Sequence, residues 1–482
     1  MKVETMKDIE DCCDHNSGGY DLAVIGAGSA GFSAAITAAN GGKRVALIGH
    51  GTIGGTCVNV GCVPSKAMIR AAEAVHSGAA AARFPGIGPC EHAVEWAEVV
   101  AGKDALVSAL RQKKYADLLP DYALVDYVEE GAARLVEGGV EVGGRVIRAP
   151  RVVIATGSHP VNPTIAGIEN VPVLDSTALL DLKDRPESLI LIGGGYIGAE
   201  LAQMMARMGV KVTLVTRSRL LSKAEPEVSA ALKDAFEAEG ITVLDGLSYR
   251  SVEGDKAQVT LTIERGGETL AIRAEKLVAT AGRRASTAGM GLEDAGVRLD
   301  RRGAIMVGDD MQTSAPGIYA AGDVTDRDQF VYMAAYGAKL AAQNAVLGGD
   351  GRYDNAAMPW VVFTDPQVAG VGLSAAQAEA AGFDVKTSVL PLDQVPRALA
   401  ARDTRGLIKL VADKATDKLL GGTIIAPEGS DTIQTLAMAL KFAMTTKDLG
   451  ETIFPYLTTV EGLKLAAQTF DMDVAKLSCC AG

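Results

Sequence analysis

The chain has 482 residues, 48% hydrophobic and 22% charged, with 47 Lys plus Arg against 59 Asp plus Glu for a net charge of −12. A single core stops growing near about 250–300 residues, so several domains are expected, and this composition excludes both wholesale disorder and a lone small binding module. No window holds basic residues interleaved with aromatics, which excludes a nucleic-acid partner on electrostatic grounds. The N-terminus, MKVETMKDIEDCC, is acidic and has no apolar h-region, so residues 1–19 read as a tail rather than a secretory signal and a cytoplasmic location is expected. Cys12 and Cys13 in that tail are either a metal-collecting arm or without consequence.

Residues 20–31, YDLAVIGAGSAG, run an apolar strand into Gly26, Gly28 and Gly31, after which an Ala-rich helix to about Asn40 and the strand KRVALIG complete a βαβ unit. Glycines at this spacing permit a tight turn, approach of backbone to a pyrophosphate and close helix packing, while the helix N-terminus favours the phosphate charge. Next comes GGTCVNVGCVPSK, residues 54–66, with Cys57 and Cys62 separated by four residues at the predicted start of a helix. Such thiols can close a short disulfide, and the helix dipole favours the thiolate of whichever sulfur lies over it. Pairs of this kind in a reducing compartment point to redox or metal chemistry, whereas Cys90 is single and reads as a loop cysteine.

Further on, VVIATGS (152–158) is a buried strand with a tight turn. The glycine pattern recurs in SLILIGGGYIG (188–198), with Gly193, Gly195 and Gly198, then a helix to about Gly209 and the strand VKVTLVT. Two such units imply two dinucleotides. An acidic residue about 20 positions on takes the ribose hydroxyls in NAD- and FAD-type units, yet the same offset from Gly26 and from Gly193 lands on Gly49 and Thr216. At the second unit Arg217 follows at once, with Arg219 and Lys223 nearby, a cation set that fits a 2′-phosphate and hence NADPH; a solvated basic loop is the alternative. The apolar run 189–209 is broken by Glu200, Arg207 and several glycines, too polar for the about 20-residue span of a membrane crossing. TSAPGIYAAGD (313–323) is another strand, ending on Asp323, where a carboxylate can hold a ribitol or ribose hydroxyl. From 351 to 470 no glycine fingerprint appears, and strands such as WVVFT and GLIKLVA alternate with helical stretches, as expected of a separate α+β domain.

Together these motifs resemble the flavoprotein disulfide reductases, the pyridine nucleotide-disulfide oxidoreductase family that includes glutathione reductase and lipoamide dehydrogenase, over about residues 20–470. The resemblance implies an α/β fold with two Rossmann-like nucleotide-binding domains plus a C-terminal α+β dimerisation domain. Its FAD part would span 20–165 and 284–350, its NADPH part 166–283 and its interface domain 351–470, with 471–482 a flexible tail. FAD and NADPH are then the cofactors, with Gly26, Gly28, Gly31, Gly55, Thr56, Thr156, Gly157 and Asp323 toward the first and Gly193, Gly195, Gly198, Arg217 and Arg219 toward the second. Cys57 would be the distal interchange thiol and Cys62 the flavin-proximal one. Lys66 would lie near flavin N5 with Glu200 as its partner, and Tyr196 would gate the nicotinamide pocket. Gly49 departs from the family's glutamate, leaving the ribose contact to water or His50.

The last third selects the branch. Members that reduce organic disulfides carry a His in H-P-T-x-x-E across the dimer interface, but here the aligned stretch is YLTTVE, with Tyr456 at the His position and Glu461 retained. No His follows His159; His15, His50, His76, His92 and His159 read as surface or loop residues. A tyrosine with a pKa near about 10 is a poor replacement for the proton donor. The end of the chain, KLSCCAG, places Cys479 and Cys480 side by side, and soft thiolates select soft metals. Tyr456 together with this pair resembles the mercury(II)-reducing branch, implying a homodimer in which Cys479 and Cys480 of one subunit deliver thiol-complexed Hg(II) to Cys57 and Cys62 of the other. An NADPH-dependent thioredoxin- or glutathione-type reductase and a non-enzymatic metal-sequestering protein are the rival readings.

Overall fold

The computed structural model describes residues 19–325 and 327–473, so Cys12, Cys13, His15, Cys479 and Cys480 lie outside the described residues. By its internal contacts the chain divides into two units, the first built from 19–57, 110–159 and 284–353 and the second from 58–109, 160–283 and 354–473.

In the first unit a five-stranded sheet has the order Ile318–Ala320, Val152–Ile154, Leu22–Ile25, Val45–Ile48, Val125–Val128, every pair parallel. Its inner strands, LAVI, VALI and VVI, are buried at every position, as expected of strands covered on both faces. Alternation assigns the sides: Leu22 and Val24 pack with the helices Ser29–Asn40 and Val331–Val346, while Ala23 and Ile25 face a cluster with the antiparallel ribbon 133–148. The two helices meet through small side chains, including Ala34, Ala35 and Ala38 on one and Ala338, Ala341 and Ala342 on the other. Small residues allow this close approach and bring the first helix squarely behind the glycine turn.

The second unit holds another parallel sheet, ordered Thr242–Leu244, Lys211–Val215, Ser188–Ile192, Lys276–Ala279, Val173–Leu174, with the helix Tyr196–Arg207 against it. It also holds an antiparallel sheet ordered Pro359–Val362, Gln367–Gly372, Leu419–Ala426, Leu407–Asp413, Val385–Pro391, of which the first and fourth correspond to the expected strands WVVFT and GLIKLVA. The two sheets are topologically separate yet share one core, since Leu201, Met204 and Met205 cluster with Val362, Val368 and Ile425. A buried ionic network crosses the same junction. Arg207 Nη2 donates to Glu239 at 2.6 Å and to Asp365 at 2.9 Å, and Arg405 reaches Glu239, Asp365 and Asp403. Among the described residues no helix is long and apolar enough to cross a membrane.

Candidate active site

The first glycine loop links Leu22–Ile25 to Ser29–Asn40. A Cβ on Gly31 would lie 1.7 Å from the Gly26 carbonyl oxygen, so only glycine lets the helix start so close to the strand. The helix has Gly28 as its N-cap, no side-chain cap and no acidic residue in its first turn, an arrangement suited to an anion. Gly54 bridges to Gly28, and Gly55 and Thr56 open the short helix Gly55–Asn59 that carries Cys57. Just past the neighbouring strand Val152–Ile154, Thr156 Oγ1 donates to the Ser286 carbonyl at 2.7 Å and Gly157 takes a left-handed φ of 69°. Asp323 starts a short 3-10 turn beyond Ile318–Ala320, and Ser158 Oγ donates to its carboxylate at 2.9 Å. An uncapped helix start, a glycine cradle and a carboxylate at a strand end fit the pyrophosphate and hydroxyls of a dinucleotide.

In the second unit Cys62 is the first residue of the 19-residue helix Cys62–Ala80; it is exposed, while Cys57 is half-buried. With no acid in the first turn, the helix dipole favours negative charge on this sulfur. One turn on, Lys66 Nζ donates to Glu200 Oε2 at 2.5 Å, and the other oxygen of that buried carboxylate accepts the Phe363 N–H at 2.9 Å. The pair forms because Met68, Ile69 and Ala72 of the thiol helix pack against Leu201, Met204 and Met205 of Tyr196–Arg207. Lys66 also lies 4.9 Å from the Phe363 ring centroid.

The second glycine loop repeats the first: a Cβ on Gly198 would sit 1.9 Å from the Gly193 carbonyl oxygen, and the helix begins on Gly195 without a side-chain cap. Its first residue, Tyr196, stacks on Trp360 with centroids 5.5 Å apart, and burial pushes its hydroxyl up to about 12, so it is neutral across the physiological range. Beyond Lys211–Val215, Thr216 is buried and Arg217, Arg219 and Lys223 are exposed, with Arg219 donating to the Ala224 carbonyl at 2.7 Å.

Residues 20–344 match the family model described as pyridine nucleotide-disulphide oxidoreductase, and 358–467 match that family's dimerisation domain. The chain belongs to the pyridine nucleotide-disulphide oxidoreductase family. It is 46% identical over 470 residues to a mercuric reductase of Streptomyces lividans, covering 96% of this chain and 99% of that one. It is 43% identical over 475 residues to a mercuric reductase of Staphylococcus aureus, covering 98% and 86%. Among solved structures, the Cu(II) complex of the HOCl-induced flavoprotein disulfide reductase RclA from Escherichia coli is similar, with a TM-score of 0.82, 29% identity and coverage of 94% of this chain and 99% of that one.

The C-terminal turn of the dimerisation domain is also exposed. Tyr456 is about half exposed just before the helix Glu461–Gln468, and the following Leu457 holds a left-handed φ of 61°. Glu461 holds the turn: its buried carboxylate accepts the Leu457 N–H at 3.0 Å, and its own N–H donates to Thr458 Oγ1 at 3.3 Å. His50, His92 and His159 are exposed as expected, with His159 Nδ1 3.1 Å from Ser286 Oγ. His76 departs from the expectation: it lies partly buried within the helix Cys62–Ala80, 3.9 Å from Glu239, and is held below its usual pKa by burial, then by Arg207. No cluster of three or more His, Cys, Asp or Glu side chains suited to hold a metal occurs among the described residues. The sequence reading overlooked Trp360 and Phe363, which support Tyr196 and Lys66 from more than 160 positions away, and Tyr127, whose tip lies against Gly49. The missing acid at Gly49 is the signal that leads to the last of these.

Proposed function

We propose that the protein is an NADPH-dependent mercury(II) reductase, a homodimeric flavoprotein that converts thiol-complexed Hg(II) to Hg(0). The observation that carries this reading is 43–46% identity to mercuric reductases over nearly the whole chain, with Tyr456 where a reductase of organic disulfides needs a proton-donating His. When bound, FAD supplies the electron chemistry that links NADPH to the thiols. The first glycine loop, Thr156, Gly157 and Asp323 would hold it, and the second loop with Arg217 and Arg219 would hold NADPH.

In this reading Cys57 and Cys62 are the redox pair and the soft ligands of the metal, and Cys62 gains thiolate character from its helix start. Lys66, one turn on from Cys62, is held in place by Glu200. Tyr196 is a neutral aromatic cover for the nicotinamide, and Tyr456, on a turn held by Glu461, lines the route of the metal. Cys479 and Cys480 of the other subunit pass Hg(II) to Cys57 and Cys62. Two electrons from one NADPH reduce one Hg(II), so no proton donor to a leaving thiolate is required.

The test is to purify the protein and add NADPH, then Hg(II) with excess small thiol. A flavin spectrum and repeated NADPH oxidation on each addition of Hg(II) are expected. A colourless protein that binds Hg(II) stoichiometrically without oxidising NADPH would replace this reading with sequestration.

A further inference from the structure

Tyr127 lies opposite Leu47 in the parallel pair formed by Val125–Val128 and Val45–Ile48. Its ring therefore rises on the face covered by Ser29–Asn40. The tip of the ring reaches the backbone of Gly49, the residue just past Val45–Ile48: a Cβ there would lie 2.3 Å from Tyr127 Oη and 2.8 Å from Cζ. In this rotamer the tyrosine occupies the space of a side chain at 49, including the carboxylate that takes a ribose hydroxyl in units of this type. Glycine at 49 and tyrosine at 127 form one steric pair.

The Tyr127 hydroxyl is buried and has no hydrogen-bond partner among the described residues. An orphaned buried hydroxyl carries an uncompensated desolvation cost, which a ligand hydroxyl bonded to it removes. Burial, then the charge of Glu129, pushes its pKa up, so it stays a neutral group able both to donate and to accept. His50, the other candidate, is exposed.

We propose that Tyr127 replaces the missing acid as the contact to the adenosine ribose of the dinucleotide at the first glycine loop. This rests on the reading of that loop as the FAD site. A carboxylate can only accept from a ribose diol, whereas a tyrosine hydroxyl can donate to one ribose oxygen or accept from it, and it brings no negative charge toward the pyrophosphate.

The test compares FAD with FAD containing 2′-deoxyadenosine, each loaded onto the protein, following flavin release by fluorescence and hence the Kd. Wild-type protein should hold the deoxy analogue about three- to tenfold more weakly, the size of one neutral hydrogen bond. Tyr127→Phe should bind FAD as weakly as wild type binds the analogue and should no longer distinguish the two. Discrimination that persists undiminished in Tyr127→Phe would overturn the proposal. In a second arm Gly49→Glu should lose FAD through the clash, while Gly49→Glu with Tyr127→Val should regain it; a double variant no better than the single one would also count against it. Wild-type protein that takes up no FAD would instead overturn the flavin reading itself.

Discussion

At Lys66 a sequence-local fact and a long-range one meet. The lysine stands one turn into the thiol helix, but its partner Glu200 lies 134 positions away, and only the packing of two helices brings the charges to 2.5 Å. Because Glu200 also accepts the Phe363 N–H, Glu200→Gln should keep that bond and lose the ion pair, whereas Glu200→Ala should lose both. Urea unfolding should therefore rank wild type above Gln above Ala, with the Gln step near ~1–2 kcal/mol since Lys66 is one-third exposed. Tyr196 gives a pH prediction. Its hydroxyl stays protonated to about 12 in the fold but ionises near 10 when unfolded, so the unfolded state binds fewer protons between these values. Stability should thus fall as pH rises above 10, and Tyr196→Phe should make that decline shallower in thermal melts from pH 9 to 11. At Arg217, reversal to Glu should raise KM for NADPH at least tenfold and leave KM for NADH within about twofold, if a charge-assisted phosphate contact is removed. Equal effects on both would assign the arginine to the solvated loop.

Elements differ in how plainly they are written in the sequence. The glycine turns were legible because their requirement is local: the backbone must pass within contact of a helix start, and nothing but glycine fits at Gly31 or Gly198. The buried parallel strands were legible for the same kind of reason, as short apolar runs between turns. The Lys66–Glu200 pair entered only through the family resemblance, and Trp360 beneath Tyr196 carried no signal, since an aromatic residue in a strand reads simply as core. The network of Arg207, Glu239, Asp365 and Arg405 was equally hidden, because its members come from a helix, a helix end and two loops, and charges in these places look solvent-facing. It has an energetic consequence. Arg207 is buried, and its removal leaves two carboxylates with reduced compensation, so Arg207→Met should destabilise by about 3–5 kcal/mol in denaturant unfolding. A loss below about 1 kcal/mol would mean that Arg405 alone satisfies Glu239 and Asp365.

For the whole molecule, the family's FAD and NADPH serve organic disulfides and Hg(II) alike, and in the proposed reading the choice between them falls on the C-terminal part. Tyr456 lies on an exposed turn, whereas Cys479 and Cys480 lie outside the described residues and the proposal that they carry Hg(II) rests on their chemistry. Replacing both with Ala should leave reduction of the flavin by NADPH unchanged while slowing turnover of thiol-complexed Hg(II) by tenfold or more. Equal loss in both steps would assign the pair a structural role. The central claim is the substrate, and the most direct measurement is steady-state NADPH oxidation with Hg(II) in excess thiol, set beside oxidised glutathione and thioredoxin, with release of Hg(0) recorded. The account predicts one Hg(0) per NADPH at an ordinary enzymatic rate of about 10 per second, and disulfide turnover at least a hundredfold slower. Turnover of glutathione or thioredoxin at that rate, with Hg(II) acting only as an inhibitor, would contradict it.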